Sequence, residues 1–164
     1  MEIRMAKIED LPKLTEIYNY EVVHGISTLD LHAKTVEDRK EWFYAHNINN
    51  HPLYVAVIDD EVVGYCSLSP YREKEAYRTT VEISIYVDIH HRGKHVATEL
   101  MEFIVDWAIK DPSTYNIVSV ITSGNQASVR LHEKFNFIFA GRIPNVGMKF
   151  NEFLSIDNYD RIVK

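Results

Sequence analysis

The stretch from Val81 to Leu100 constrains the fold more than any other, because its hydrophobic period changes halfway along. Apolar and polar residues alternate from Val81 to Val87, which predicts a β-strand. From Val96 apolar residues recur at helical spacing through Ala108, which predicts an amphipathic helix. A basic turn joins the two, His90-His91-Arg92-Gly93-Lys94-His95. Such a turn aims the first free backbone N–H groups and the positive dipole end of the helix at one point, which predicts a phosphate or pyrophosphate site.

The length and composition predict one cytosolic domain over residues 1–164. The chain has 164 residues, of which 46% are apolar and 26% charged, as in soluble globular proteins. It contains no apolar run long enough for a membrane span, and its first residues lack the apolar core of a signal peptide. Cys66 is the only cysteine, which agrees with a reducing compartment. The net charge of −6 argues against a nucleic-acid surface as the main function.

The remaining patterns predict the element order βααβββαβαββ. Asp10 is a candidate cap for the first helix, and Thr35 begins a capping box for the second. Strands are predicted over 3–5, 53–58, 62–68, 81–87, 116–121, 137–140 and 150–156, and the later helices over 96–108 and 126–135. This order predicts an α+β fold, a mixed α/β sandwich in which helices cover a largely antiparallel sheet.

A second strand-to-helix turn, Ser123-Gly124-Asn125, precedes the predicted helix that begins at Gln126. Asn125 and Ser128 lie at its start, where short polar side chains cap a helix or reach a ligand. His132 follows about two helical turns later, so it shares a face with Asn125. Taken alone, this run is more typical of an ordinary helix with an asparagine cap and a packed histidine.

Together the two turns resemble the GNAT superfamily of N-acetyltransferases. The run Arg92-Gly93-Lys94-His95-Val96-Ala97 is similar to that family's pyrophosphate loop, Arg/Gln-x-x-Gly-x-Gly/Ala, with His95 where glycine is usual. The 125–132 run resembles its Asn-x-x-Ala/Ser-x-x-x-Tyr motif, with His132 at the tyrosine position, as in the phosphinothricin and methionine sulfoximine acetyltransferase subfamily. Strand 80–87 and the segment Pro144 to Phe150 also resemble that subfamily. The resemblance implies a GNAT-type fold, acetyl-CoA as co-substrate and N-acetylation of a small amino acid-like amine.

The resemblance also implies the roles of individual residues. Glu82 stands where the subfamily has its catalytic base, and His132 is expected to share the proton handling. Acetyl transfer requires a neutral amine, so a general base must take a proton. A backbone N–H near Tyr86 or Val87 is expected to hold the oxyanion. The implied cofactor-binding residues are Ile85, Tyr86, Val87, Arg92, Gly93, Lys94, His95, Val96, Ala97, Asn125 and Ser128.

The loop before the catalytic strand has two interpretations. Tyr71-Arg72 stands in place of a subfamily Trp-Arg element whose arginine helps to bind the acceptor, and Tyr77 and Arg78 are expected to line the same pocket. An arginine fork suits a carboxylate or phosphinate. The alternative is a solvated charged loop. The segment from Pro144 lies at a dimer interface in subfamily members, so the resemblance implies a homodimer.

Other sites and functions are alternatives to these. His90, His91 and His95 have no carboxylate or cysteine at ligand spacing, so no metal is predicted. Cys66 lies in an apolar strand and is expected to be buried. The competing functions are the same chemistry on a protein N-terminus or polyamine, a non-catalytic acyl-CoA-binding regulatory protein, and an unrelated α+β binding domain. No nucleic-acid or membrane partner is expected.

Overall fold

A computed structural model describes residues 1–164 and contains seven strands and four α-helices in the predicted order, which confirms the predicted mixed α/β fold. The strands are β1 (Glu2–Met5), β2 (Leu53–Ile58), β3 (Glu61–Pro70), β4 (Thr80–Val87), β5 (Asn116–Thr122), β6 (Ile138–Lys149) and β7 (Glu152–Ile162). The helices are α1 (Leu11–His24), α2 (Val36–Tyr44), α3 (Val96–Lys110) and α4 (Gln126–Lys134). No helix is long and apolar enough to cross a membrane.

All seven strands form one sheet in the order β1-β2-β3-β4-β5-β7-β6. Every neighbouring pair is antiparallel except β4 and β5, which run parallel. That parallel pairing is short, because it extends only from Thr80–Asn116 to Glu82–Val118. Beyond Glu82 the two strands separate, and the sheet is split along the second half of β4. This split positions the site described below.

Helices cover both faces of the sheet, and each face has its own core. On one face, apolar residues of α3 such as Leu100 and Ile104 pack with Val81 and Ile83 of β4, and α4 adds Leu131. On the other face, α1 and α2 pack against β2 and β3 in a second cluster. The members of the second cluster are Ala6, Leu11, Leu14, Ile17, Phe43, Leu53, Val55, Val62 and Tyr65. Because strand residues alternate between faces, Glu82, Ser84 and Tyr86 point to the α1/α2 face.

Of the two predicted helix caps, the one at Thr35 is present and the one at Asp10 is not. Thr35 forms the predicted capping box: its hydroxyl accepts the Asp38 N–H at 3.1 Å, and the Asp38 carboxylate accepts the Thr35 N–H at 2.8 Å. Asp10 precedes α1, but its side chain makes no cap bond. Its carboxylate instead pairs with Arg4 at 2.8 Å and accepts the Lys7 N–H at 2.7 Å. The nearby arginine therefore diverts Asp10 from its predicted role.

The predicted bounds of the last two strands are wrong. β6 and β7 form a long hairpin whose turn is Phe150-Asn151, with φ of 53° and 61°. Two residues with positive φ are typical of a tight hairpin turn. The prediction ended β6 at 140 and began the last strand at 150. Register shifts after Phe139 and Ile143 break the alternation in β6, because bulges of this kind insert unpaired residues.

Candidate active site

A groove of about 1140 Å³ lies where β4 and β5 separate. Its walls are the second half of β4, the second half of β5, the turn before α3 and the first turns of α4. The segment Gly25–Leu29, which follows α1 and is here called the roof segment, borders the groove as well. Of the residues predicted to act, Glu82 and His132 both line this groove.

The basic turn presents free backbone donors to the groove. His95 precedes α3 with φ of 64°, and its side chain makes no cap bond. The first helical bond of α3 runs from the Glu99 N–H to the His95 carbonyl at 3.0 Å, which leaves the N–H groups of Val96 and Ala97 free. Gly93 has φ of 74°, and a Cβ on it would meet no atom within 4 Å. Open space beside uncapped N–H groups fits a pyrophosphate.

Most of the predicted cofactor-binding residues of the turn line the groove, but one does not. Gly93, His95, Val96 and Ala97 line the groove, whereas the exposed side chain of Lys94 lies outside its lining. Arg92 lines the groove and is ion-paired with Glu21 of α1. That pairing was not predicted, because the two residues are far apart in sequence and no local pattern links them.

Strand alternation decides which N–H groups of β4 face the groove. The Asp88 N–H donates to the Val63 carbonyl of β3 at 2.9 Å. Because successive N–H groups of a strand point to opposite edges, the N–H of Tyr86 also points to β3, and those of Ile85 and Val87 point to the split. Of the two residues predicted for the oxyanion, only Val87 therefore directs its N–H into the groove; Tyr86 contributes its side chain.

Glu82 is the last residue of β4 that pairs with β5, and it lies opposite Ser69 of β3. Its half-buried carboxylate forms neither a hydrogen bond nor an ion pair within the protein, and burial raises the pKa of this carboxyl above its ordinary value. A carboxylate that lacks partners and borders a groove has the properties of a general base.

His132 is 6% exposed and makes a hydrogen bond at each ring nitrogen. Nδ1 lies 2.7 Å from the Ser128 carbonyl, and Nε2 lies 2.9 Å from the Ser119 hydroxyl. A carbonyl only accepts, so Nδ1 carries the proton and Nε2 accepts from Ser119. Burial lowers the pKa of His132, which favours this neutral form.

Glu82 and His132 approach the groove from opposite faces of the sheet. Ser119 lies on β5 between Ile117 and Ile121, which belong to the α3 core, so it shares their face. Glu82 lies on the α1/α2 face. Sequence reasoning missed Ser119, although a serine between two buried isoleucines in an otherwise apolar strand was a usable signal.

The roof segment is held from three directions. Asn125 accepts the Ser128 N–H at 3.2 Å and donates to the Ser27 hydroxyl at 3.3 Å. The Tyr86 hydroxyl donates to the Ser27 carbonyl at 3.4 Å. The buried Lys149 ammonium donates to the Thr28 carbonyl at 2.8 Å. These contacts place the roof segment across the groove, from β4 to the start of α4.

The four predicted acceptor residues do not line the groove. Tyr71 and Arg72 follow the end of β3, where Pro70 pairs with Val81, so they lie at the Glu82 end of the sheet. The Arg72 guanidinium carbon lies 5.1 Å from the Tyr71 ring centroid and 5.8 Å from that of Tyr77. Arg78 is exposed and pairs with Glu75 at 3.5 Å. The structure brings three of the four together as an exposed cluster.

No group of three or more His, Cys, Asp or Glu side chains is placed to hold a metal ion. The Cys66 thiol is fully buried, and burial raises its pKa. A thiol of this kind is a poor nucleophile, because the thiolate is the reactive form.

Comparison with known proteins identifies the family. A profile of the Acetyltransferase (GNAT) family matches residues 15–137. The L-methionine sulfoximine/L-methionine sulfone acetyltransferase of Salmonella typhimurium is 33% identical over 95% of this chain and 91% of that protein. The phosphinothricin N-acetyltransferase of Streptomyces coelicolor is 33% identical over 98% and 95%.

A solved structure agrees with these relatives. The phosphinothricin acetyltransferase of Sinorhizobium meliloti in complex with acetyl-CoA superposes with a TM-score of 0.92 at 28% identity, over 98% of this chain and 87% of that one. The resemblance inferred from the two strand-to-helix turns is confirmed, and the chain belongs to the acetyltransferase (GNAT) family.

Proposed function

We propose that residues 1–164 act as one N-acetyltransferase domain that transfers the acetyl group of acetyl-CoA to the amine of a free α-amino acid of the phosphinothricin or methionine sulfoximine type. The observation that carries the proposal is a single groove with a partnerless carboxylate, Glu82, at one end and uncapped helix N–H groups at the other. The relatives act on acceptors that share an amine and a carboxylate on one carbon. These features support a small amino acid in preference to a protein N-terminus or polyamine.

In the proposed cofactor site, the basic turn and the start of α4 bind the coenzyme. The free N–H groups at the start of α3 take the pyrophosphate, because the helix dipole favours an anion there. The proposed contacts come from Ile85, Tyr86, Val87, Arg92, Gly93, Lys94, His95, Val96, Ala97, Asn125 and Ser128. Lys94 is assigned to the outer rim, since its side chain lies outside the groove lining.

In the proposed reaction, Glu82 takes the first proton, which converts the acceptor ammonium to a neutral amine. Its carboxylate is free to do so, whereas Nε2 of His132 is already engaged by Ser119. The amine nitrogen attacks the thioester carbon, and the N–H group of Val87 stabilises the oxyanion. No acyl-enzyme forms, which agrees with the burial of Cys66.

The second proton leaves the attacking nitrogen before the tetrahedral intermediate collapses. We assign its transfer to Ser119 and His132: Ser119 accepts this proton while it passes its own to Nε2. The C–S bond then breaks, and the imidazolium returns a proton through Ser119 to the departing thiolate. The base and the shuttle therefore act from opposite faces of the sheet.

The exposed cluster of Tyr71, Arg72 and Tyr77, with Arg78 beside it, is proposed to contact the acceptor from the rim. It lies at the Glu82 end of the sheet, which places a fork of N–H donors near the outer end of a bound amino acid. Because the cluster is exposed, it suits the part of the acceptor that varies between substrates.

The protein is further proposed to act as a cytoplasmic homodimer. Met148 of β6 and Phe153 of β7 lie directly opposite each other, and both are more than half exposed. Other exposed apolar residues of the hairpin are Ile138, Phe139, Ile143, Val146 and Phe150. An apolar surface of this extent on a strand at the sheet edge is typical of an interface. A second copy suits it, because each copy carries the same edge.

An assay of coenzyme A thiol release with a panel of acceptors tests the function. The panel contains phosphinothricin, methionine sulfoximine, methionine sulfone, a polyamine and a peptide with a free N-terminus. The amino acids are expected to be the best acceptors by kcat/KM. Preference for the peptide or the polyamine contradicts the acceptor class. Calorimetric binding of acetyl-CoA with no turnover on any amine contradicts the enzymatic function and supports a regulatory protein.

A further inference from the structure

Arg39 of α2 is a buried cation with no anionic partner. Only 6% of the residue is exposed, it forms no ion pair, and its Nε is buried without a hydrogen-bond partner. The two faces of the guanidinium are covered: its central carbon lies 4.2 Å from the Tyr18 ring centroid and 3.9 Å from that of Trp42. Its N–H donors all lie along the edge of the group. Burial of a charge without compensating bonds is unfavourable, so this edge is suited to a ligand.

A second unpartnered donor lies beside the first. The Tyr65 hydroxyl is buried without a hydrogen-bond partner, and the ring of Trp42 contacts Tyr65 with centroids 5.8 Å apart. Burial raises the pKa of Tyr65 to about 12, although the neighbouring Arg39 guanidinium acts in the opposite direction, so the hydroxyl keeps its proton. A guanidinium and a hydroxyl that both have protons to donate are satisfied together by an anion with two acceptor oxygens, which describes a carboxylate.

This pair of donors adjoins the proposed catalytic groove. Tyr65 is paired with Tyr86 across β3 and β4, and their rings stack with centroids 5.4 Å apart. Tyr86 also contacts Tyr18 at 5.4 Å and lines the groove. Tyr86 therefore separates Arg39 from the groove.

Glu82 lies further along the same face of the sheet. Directly opposed residues of antiparallel strands share a face, and the pairs from Tyr65 to Ser69 are Tyr65–Tyr86, Ser67–Ser84 and Ser69–Glu82. The middle pair has small side chains. Of this pair, Ser84 lines the groove, whereas Ser67 is buried.

We propose that Arg39 and the Tyr65 hydroxyl bind the carboxylate of the acceptor amino acid. The proposal rests on the function proposed above and adds the residues that recognise the part common to all such acceptors. A buried, rigid guanidinium suits a group that is always present, whereas the exposed Arg72 suits the variable end. Movement of the Tyr86 ring or the roof segment admits the carboxylate to Arg39.

Arg39→Met is the main test, with Arg72→Met as the matched control. Each variant is assayed with an amino acid acceptor and with its carboxamide, which keeps the amine and lacks the charge. The native enzyme is expected to prefer the amino acid by about 100-fold in kcat/KM, since charged hydrogen bonds are strong. Arg39→Met is expected to lower that preference to less than about threefold with the KM for acetyl-CoA unchanged. Arg72→Met is expected to keep most of the preference for the amino acid over the carboxamide.

Thermal unfolding of the ligand-free protein separates binding from a structural role. Because an apolar side chain removes an unpaired buried charge, Arg39→Met is expected to raise Tm or leave it unchanged. A large fall in Tm, or failure to fold, overturns the proposal, because it shows that Arg39 supports the fold. Tyr65→Phe removes one donor and is expected to raise the KM for the amino acid severalfold without lowering Tm.

The outcomes distinguish this inference from the function on which it rests. If no amine is acetylated by the native protein, the proposed function is wrong. If the native protein acetylates amino acids but Arg39→Met keeps the full preference over the carboxamide, the function stands and the role of Arg39 is wrong. Equal use of the amino acid and the carboxamide by the native enzyme also contradicts the carboxylate site.

Discussion

Arg92, the first residue of the predicted pyrophosphate loop, is ion-paired with Glu21 near the end of α1. Glu21 is 6% exposed and lines the same groove. A Cβ on Gly25 would collide with the Glu21 carboxylate, so glycine at that position leaves room for the pair. The turn that is proposed to bind an anion is thus partly neutralised by a buried acid, and we expect a bound pyrophosphate to compete with Glu21 for the guanidinium.

This competition predicts that substitutions of Arg92 and of Glu21 change the KM for acetyl-CoA in opposite directions. Arg92→Met is expected to raise the KM for acetyl-CoA roughly tenfold, because hydrogen bonds to charged groups are worth about 1.5–3 kcal/mol. Glu21→Gln is expected to lower it roughly threefold, since it removes a negative charge beside the phosphates. Steady-state kinetics at saturating acceptor measure both. Lys94→Met serves as the control and is expected to have a smaller effect than Arg92→Met. A raised KM in Glu21→Gln contradicts the competition.

Gly93 is predicted to be required for coenzyme binding, beyond its effect on the stability of the turn. Gly93→Ala places a Cβ in the open space beside the free helix N–H groups and imposes left-handed strain of about 1–2 kcal/mol. Gly141 also has positive φ and open surroundings, but it lies in β6, away from the groove. Both alanine variants are expected to lower Tm, and only Gly93→Ala to raise the KM for acetyl-CoA. Equal KM values in the two variants contradict the assignment.

Local signals predicted the parts of the site that are contiguous in sequence. The change of period after Val87 located the strand, turn and helix, because alternation and helical spacing are properties of a few consecutive residues. The capping box at Thr35 was equally local. The pairing of Arg92 with Glu21, and the donors Arg39 and Tyr65, depend on the packing of α1 and α2 onto the sheet, which no short window encodes.

The hairpin of β6 and β7 shows a second limit to predicting strand bounds from sequence. Glycine and proline at Gly141, Pro144 and Gly147 suggest the end of a strand, yet β6 continues through all three. The bulges absorb these residues, and pairing with β7 holds the strand in place. Tertiary pairing overrode the local preference, as is common for strands.

Glu82→Gln is predicted to reduce kcat roughly 10²–10⁴-fold, which is the usual contribution of a general base. For the native enzyme, kcat/KM is expected to fall as the pH drops through the pKa of Glu82. That pKa is raised by burial, so the fall begins above the ordinary glutamate value of about 4.3. A pH–rate profile measures this limb, and Glu82→Gln is expected to lack it. Glu133→Gln, an exposed acid outside the groove, is the control.

The same substitution is predicted to stabilise the protein. A carboxyl whose pKa is higher in the folded state contributes stability below its unfolded pKa and loses it as the pH rises through the folded pKa. At neutral pH the charged form of Glu82 is therefore unfavourable for folding. Glu82→Gln is expected to raise Tm at pH 7.5 and to have little effect near pH 4. A lower Tm together with lost activity contradicts a catalytic role, because it indicates a structural one.

The proposed hairpin interface predicts that one introduced charge dissociates the proposed dimer. Phe153→Asp places a carboxylate in the exposed apolar surface of β6 and β7, where burial against a second copy is unfavourable. Analytical ultracentrifugation is expected to show a dimer for the native protein and a monomer for this variant. Ile109→Asp, at an exposed apolar position of α3, is the matched control and is expected to remain dimeric. A native monomer at micromolar concentration contradicts the interface.

His132 is predicted to make folding stability depend on pH in the mildly acidic range. Burial lowers its pKa in the folded state, whereas the unfolded chain titrates near about 6.5. Stability from the neutral, hydrogen-bonded imidazole is present above that value and is lost as the pH falls towards the folded pKa. Urea unfolding at pH 7.5 and 5.5 is expected to show a larger drop for the native protein than for His132→Gln. His24→Gln, at an exposed position, is the control and is expected to keep the native drop. If His132→Gln loses as much stability as the native protein on acidification, the imidazole is not held neutral by burial, and its assignment as an acceptor of the second proton through Ser119 is also wrong.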